Sequence, residues 1–150
     1  MSQDILDSMV CVDLTVPPLY PRWMHKVMHP ELEATSREKF DPTILKRWSH
    51  PGQKNGLVDG HIIYKHLEDT GMLADCLSLR ELEEIQKKGI EFFRKRWRRE
   101  AIFGWKSVIE NKDGEQSAPC LVGKNGEVVF VWHWLDYVWR VGNVVLLFVQ

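Results

Sequence analysis

The chain has 150 residues, of which 44% are hydrophobic and 27% charged, and its net charge at pH 7 is −1. That length suits one domain with a buried core, and the hydrophobic share excludes a wholly disordered chain. The balanced charge also excludes a protein that attracts nucleic acid or membranes through its overall field.

The three cysteines, Cys11, Cys76 and Cys120, lie far apart and form no C-x-x-C pair. This pattern favours buried thiols in a reducing compartment over disulfides or a zinc site. The acidic first residues lack the pattern of a signal peptide, and the apolar runs near the end are too short to span a bilayer. We therefore expect a cytoplasmic protein with a single domain over residues 1–150.

The first predicted elements are short. Apolar residues alternate with polar ones from Val10 to Val16, which predicts a strand that Pro17 ends. Pro30 then begins a stretch with few apolar residues, which predicts a short helix on the surface.

The next helical elements carry recognisable start and stop signals. Asp41 followed by proline predicts a capped amphipathic helix that reaches Trp48. Residues 49–56 are rich in Gly and Pro and predict a loop. Asp59 predicts the start of a further helix, and Gly71 predicts its end.

The stretch from Ser78 to Arg99 predicts one long amphipathic helix of about six turns. Ser78 and Glu81 have the spacing of a capping box. One predicted face is apolar and aromatic: Leu79, Leu82, Ile85, Gly89, Ile90, Phe92, Phe93 and Trp97. The opposite face is basic: Lys87, Lys88, Arg94, Lys95, Arg98 and Arg99. Gly89 costs about 1 kcal/mol relative to alanine in a helix, which indicates either close approach of another element or the floor of a pocket.

After this helix the apolar period changes to two, which predicts four strands. They are Ile102–Glu110, Ser117–Val122, Glu127–Trp134 and a final strand from Val144 to Val149 that is apolar on both faces and therefore central. NKDG and KNGE supply hairpin turns, and Pro119 predicts an edge position or a bulge for the second strand.

Together these elements predict an α+β domain in which short N-terminal helices and one long helix pack on a curled antiparallel sheet. The order of elements resembles that of cystatin-like and NTF2-like rolls. This likeness rests on element order alone and implies no function.

The basic helix face is the first candidate binding site. Residues 86–99 carry seven Lys or Arg against one Glu, so this segment is +6 and the remainder of the chain is −7. We expect Arg94, Lys95, Arg98 and Arg99 to bind a protein with an acidic surface. Nucleic acid is an alternative partner, because guanidinium groups also pair with phosphates.

Arg96 falls within the apolar arc of the predicted helix. Either the helix has frayed by this position, or the side chain enters the interior and needs a carboxylate there. Glu110 and Asp136 are the candidate carboxylates. An inward arginine is also suited to hold an anionic ligand.

Aromatic residues of the sheet form a second candidate surface. We expect strand alternation to leave at least one tryptophan among Trp105, Trp132, Trp134 and Trp139 facing outward, where it could anchor a partner, because Trp is enriched at binding hot spots.

His133 and Asp136 are the candidate catalytic residues, as a general base with its orienting carboxylate. Strand alternation separates these two positions unless the chain bends between them. With Arg96 as anion clamp, they describe a small-ligand-binding or lyase/isomerase-type pocket in a roll. Motifs of common hydrolases, kinases and dinucleotide enzymes are absent, and no cofactor or metal site is expected. We therefore expect a non-enzymatic interaction protein, with the pocket protein and the nucleic-acid-binding protein as alternatives.

Overall fold

The computed structural model describes residues 8–148. The first seven residues and Val149 of the last predicted strand lie outside this range. The helices with described bounds are α1 (Pro30–Glu33), α2 (Pro51–Lys54), α3 (Gly60–Asp69), α4 (Leu79–Gln86) and α5 (Ile90–Trp97). Single 3₁₀ turns occur at Pro42–Ile44, Met72–Asp75 and Trp105–Ser107. The strands are β1 (Val10–Cys11), β2 (Lys26–Val27), β3 (Lys39–Phe40), β4 (Lys46–Trp48), β5 (Val58–Asp59), β6 (Ala101–Phe103), β7 (Ile109–Glu110), β8 (Gln116–Lys124), β9 (Glu127–Trp134), β10 (Val138–Trp139) and β11 (Asn143–Leu147).

Seven of the strands form a mixed sheet curled into a half-barrel, which confirms the α+β class. Strand β8 pairs with β9 along one side and with both β7 and β6 along the other. Beyond these, β2 pairs with β7, β11 pairs with β6, and β4 pairs with β11. The sheet is not wholly antiparallel as predicted, because β11 runs parallel to β6. The connection between β6 and β11 contains the β8–β9 hairpin instead of a tight turn, and a long connection of this kind permits parallel pairing.

The predicted long helix is wrong, because the helix is interrupted between α4 and α5. Gly89 has φ +90° and ψ 175°, a conformation that ends a helix and that only glycine adopts readily. Nothing lies within 4 Å of a Cβ built on Gly89, so neither close approach nor a pocket floor explains this residue. Both short helices still bury their apolar faces, including Leu82 on α4 and Phe93 and Trp97 on α5.

Signals that act within a few residues of the chain are confirmed. Glu81 N donates to Ser78 Oγ (3.3 Å) and Ser78 N donates to Glu81 Oε1 (2.8 Å), which completes the capping box. Asp59 Oδ1 accepts from His61 N at the start of α3. Asn125 (φ +51°) and Gly126 (φ +78°) form the predicted two-residue turn between β8 and β9, and β9 has its predicted bounds.

Other predicted elements change in length or type. The strand expected from Val10 to Val16 is reduced to β1. The residues after Asp41 form a 3₁₀ turn and then β4, because pairing with β11 places Lys46–Trp48 in a strand. Helix α2 occupies the predicted loop 49–56. A 3₁₀ turn splits the strand expected over Ile102–Glu110 into β6 and β7.

Pro119 lies in an inner strand, which corrects its predicted edge position. β8 pairs with β9 along its whole length and with β6 and β7 on its other side. The Pro119 carbonyl accepts from Gly104 N (2.9 Å), so the proline nitrogen also faces the Gly104 side. At Gly104 the chain has left β6 and leads into the 3₁₀ turn. The N–H that proline lacks is therefore not needed for a hydrogen bond between strands.

Helices cover both faces of the sheet. On one face α4 and α5 pack on a cluster that includes Ile102, Leu121 and Val144. On the other face α3 packs on a cluster that includes Phe103, Trp105 and Trp139. No helix among residues 8–148 is long and apolar enough to cross a membrane.

The cysteines are all free, but only two of them are buried as predicted. Cys76 and Cys120 lie in the core, and burial raises the pKa of both thiols, that of Cys120 to about 12. Cys11 is exposed, because neighbouring residues of a strand point to opposite faces and β1 buries the Val10 face.

Candidate binding site

A cleft of about 860 Å³ lies at the carboxyl end of α5. We name it the basic cleft. Its lining residues come from α5 and the turn after it, from β4 and from the turn before β11. They are Arg47, Lys95, Arg96, Trp97, Arg98, Arg99, Glu100, Val141 and Gly142. Five cationic side chains and one carboxylate give the lining a formal charge of +4.

Arg98 ends α5 in an unusual backbone conformation. Its φ is +52° and its ψ −110°, although its N–H still donates to the Arg94 carbonyl (3.0 Å). A non-glycine residue in such a region costs on the order of 1–3 kcal/mol. The chain reverses at this point, and both Arg98 and Arg99 are exposed at the cleft.

Arg47 is held in place by two elements. Its Nη2 lies 2.9 Å from Glu100 Oε1 and donates to the Arg96 carbonyl (2.7 Å), and its Nε donates to the same Glu100 oxygen (3.1 Å). β4 carries Arg47 opposite Leu146 of β11. These contacts tie the sheet to the end of α5 and fix one wall of the cleft.

Buried Gln53 of α2 supports a second part of the cleft lining, the turn that contains Val141. Its Nε2 donates to the carbonyls of Arg140 (2.8 Å) and Asn143 (3.0 Å) on either side of the Val141 turn. Val141 itself is 70% exposed, so the wall presents an apolar side chain beside the cationic groups.

Arg96 belongs to the last turn of α5, which has not frayed. Its guanidinium lies over the Phe92 ring (3.5 Å from Cζ to the centroid), and its Nη1 donates to the Phe92 carbonyl (3.1 Å). Burial lowers the pKa of Arg96, and the nearby Asp41 carboxylate opposes this shift. Neither Glu110 nor Asp136, the predicted partners, forms an ion pair with Arg96.

Lys95, Arg98 and Arg99 are the unpaired cations of the cleft. All three are exposed, and no ion pair or side-chain hydrogen bond involves them among residues 8–148. Arg94 is likewise exposed and unpaired there, although it does not line the cleft. Basic residues in a last helical turn interact favourably with the helix dipole, but this stabilises the helix by only about 0.3–1 kcal/mol for each residue. Three cations without partners therefore leave charge available for a ligand.

The predicted aromatic residues lie elsewhere. Trp132 and Trp134 are half-buried on β9, where Trp23 covers both, with ring centroids 6.0 Å and 5.1 Å away. The 41% exposed Trp23 provides the outer surface of this group. Trp139 is 1% exposed and packs in the core, so it cannot anchor a partner.

The aromatic group and the basic cleft do not form one surface. β9 is at one edge of the sheet and β4 at the other, with β8, β6 and β11 between them. Neighbouring strands are about 4.8 Å apart, so a small ligand cannot contact both sites.

His133 and Asp136 are not brought together. Asp136 Oδ1 lies 2.8 Å from His61 Nε2, on the α3 side, and both side chains are well exposed. His133 packs against the Phe103 and Trp139 rings, and its Nε2 is 3.4 Å from the Val138 carbonyl. Burial lowers the pKa of His133.

Sequence reasoning missed a second pocket, of about 450 Å³, beneath residues 14–20. Glu33 and Tyr20 line it with mostly apolar neighbours. Glu33 accepts from the Ser107 hydroxyl and from Arg80 N (3.4 Å), and burial raises its pKa. Tyr20 also has a raised pKa because of burial and the nearby carboxylates. No sequence motif marks this pocket, because its residues come from four separate segments.

No group of three or more His, Cys, Asp or Glu side chains suited to a metal ion occurs in the described part of the chain. Comparisons with protein-family models, with curated proteins and with solved structures find no match to the chain. The geometry and charge of the site itself are therefore the basis for inferring a function.

Proposed function

We propose that the protein is a non-enzymatic binding protein whose basic cleft takes up an acidic segment of a partner protein. One observation carries the proposal: Lys95, Arg98 and Arg99 are exposed and unpaired around a cleft whose other walls are fixed. The +4 lining attracts carboxylates, and Arg guanidinium groups bind them in a bidentate manner.

The shape and charge of the cleft favour an acidic peptide over nucleic acid. Single-stranded nucleic acid is bound through aromatic side chains that stack on its bases. The aromatic residue of the lining, Trp97, is only 3% exposed, whereas Val141 offers an aliphatic contact. Outside residues 86–99 the chain carries a net charge of −7, which repels a long polyanion that extends beyond the cleft.

The test is fluorescence anisotropy with a labelled polyglutamate peptide at low salt. The triple variant Lys95→Gln, Arg98→Gln, Arg99→Gln should lose most of the binding, on the order of tenfold or more in Kd. A matched control removes three exposed lysines elsewhere, Lys39→Gln, Lys112→Gln and Lys124→Gln, and should retain it. Equal losses in both variants would show a dependence on net charge alone and would contradict the proposal.

A single-stranded oligothymidylate with the same number of charges is the second probe. We expect the peptide to bind more tightly, and both interactions to weaken at about 0.5 M salt because exposed charges are then screened. Tighter binding of the oligonucleotide by the cleft would replace the proposed partner with nucleic acid.

A further inference from the structure

β9 has a free edge. It pairs with β8 along one side, and no strand within residues 8–148 pairs with its other side. The two-residue turn sets Glu127 opposite Lys124 as a hydrogen-bonded pair, so odd-numbered residues of β9 direct their backbone groups to β8. Even-numbered residues therefore direct theirs outward.

Hydrogen bonds to the outward carbonyls near both ends of β9 agree with this orientation of the backbone and limit the length of the free edge. Gln86 Nε2 donates to the Val128 carbonyl (3.1 Å), and Tyr137 N donates to the Trp134 carbonyl (3.1 Å). Between them, the N–H and C=O groups of Phe130 and Trp132 face outward without a partner in the described residues. The free edge is thus a window of two donors and two acceptors centred on Val131.

The residues of the strand itself lack the features that usually prevent strand pairing. Proteins protect edge strands with charges, proline or bulges. The one charged residue of β9 is Glu127 at its start, and the strand has no proline. Val131, at the centre of the window, is 40% exposed.

We propose that the free edge of β9 pairs with β9 of a second copy of the chain. In an antiparallel pair with its twofold axis at Val131, Phe130 of each copy faces Trp132 of the other. Each such pair exchanges two N–H···O bonds, which gives four hydrogen bonds and uses the whole window of both chains. The window is symmetric about Val131, so a second copy matches it in number and spacing of donors and acceptors.

The side chains are compatible with this register. The Val131 side chains meet at the axis, which removes their exposed apolar surface from water. The Glu127 residues of the two copies lie at opposite ends of the paired strands, so like charges do not face each other. The sheets of two copies would join into one, and the basic clefts, at the far edges, would remain open.

Sedimentation equilibrium of the full chain over a range of concentrations tests this proposal. We expect a species of twice the 17.6 kDa chain mass. Val131→Lys places two like charges opposite each other and should weaken the dimer by about tenfold or more. Ile62→Lys, at a 54% exposed position on α3, is the matched control and should leave the dimer unchanged. A chain that stays monomeric at all concentrations, or a dimer that Val131→Lys does not weaken, would overturn the proposal.

Hydrogen exchange of the wild-type protein gives a second result that needs no variant. The amide protons of Phe130 and Trp132 should become more protected as protein concentration rises, whereas that of Val128, beyond the window, should gain less. Exchange of the Phe130 and Trp132 amides that is independent of concentration would also overturn the proposal.

Discussion

The amino end of α4 and the carboxyl end of α5 lie in two consecutive helices and differ in the state of their polar groups. At the α4 end, Ser78, Glu81 and Ser107 are fully buried and hydrogen-bonded. At the α5 end, Arg98 has a strained backbone, and Lys95, Arg98 and Arg99 are exposed and unpaired among the described residues. Buried polar groups that satisfy each other stabilise a fold, whereas unpaired charges at a cleft are available to a ligand. The difference separates a structural helix end from a candidate binding end.

The largest expected effect is at the structural end. Glu81 accepts from Ser78 N (2.8 Å) and from Arg37 N (2.9 Å). Glu81→Ala leaves the buried Ser78 N and the part-buried Arg37 N without this acceptor and should lower the free energy of unfolding by about 2–3 kcal/mol in urea denaturation. Glu91→Ala, at an exposed position in the first turn of α5, is the control and should cost far less. A similar cost for the two changes would remove the contrast between the ends.

Gly89 separates the two ends, and alanine at this position tests the break. At φ +90° the side chain of alanine is strained, so Gly89→Ala should destabilise the protein by about 1–2 kcal/mol. In one continuous helix the same change would stabilise it by about 1 kcal/mol. The sign of the change in thermal or urea unfolding therefore decides between the two structures.

Arg98→Gly should separate stability from binding at the other end. Glycine accepts φ +52° and ψ −110° without strain, so the free energy of unfolding should rise by about 1 kcal/mol. The variant loses one cation of the cleft and should bind polyglutamate more weakly. Arg99→Gly loses the same charge and should not gain stability. A loss of stability in Arg98→Gly would mean that its conformation is not strained.

The smallest expected effect concerns pH and Glu33. Burial raises the pKa of Glu33 in the folded protein above its ordinary value of 4.5, so the folded state holds more protons than the unfolded state between the two pKa values. Its contribution to stability therefore falls as pH rises through that window. Glu33→Gln should remove this part of the pH dependence in urea unfolding measured between about pH 4 and 8. A pH profile parallel to that of the wild-type protein would contradict the raised pKa.

The sequence predicted features that depend on neighbouring residues and missed those that depend on distant pairing. Ser78, Asp59 and the Asn125 turn were predictable because a cap or turn is defined within about four residues. The helix break was not predicted, because the apolar period continues across Gly89. Glycine at that position was the available signal.

The candidate site shows the same limit. Arg98 and Arg99 were predicted as binding residues from the local density of charge. Arg47 was missed because its position depends on the pairing of β4 with Leu146 of β11, far along the chain. The sequence also could not show that His61, and not His133, contacts Asp136.

The most direct test of the central claim is an NMR titration of the isotope-labelled protein with unlabelled polyglutamate. We predict that the amide signals of Lys95, Arg98, Arg99 and Gly142 shift together, while the indole signals of Trp23, Trp132 and Trp134 do not. Shifts confined to those tryptophans, or spread evenly over exposed lysines such as Lys112, would contradict a binding site in the basic cleft.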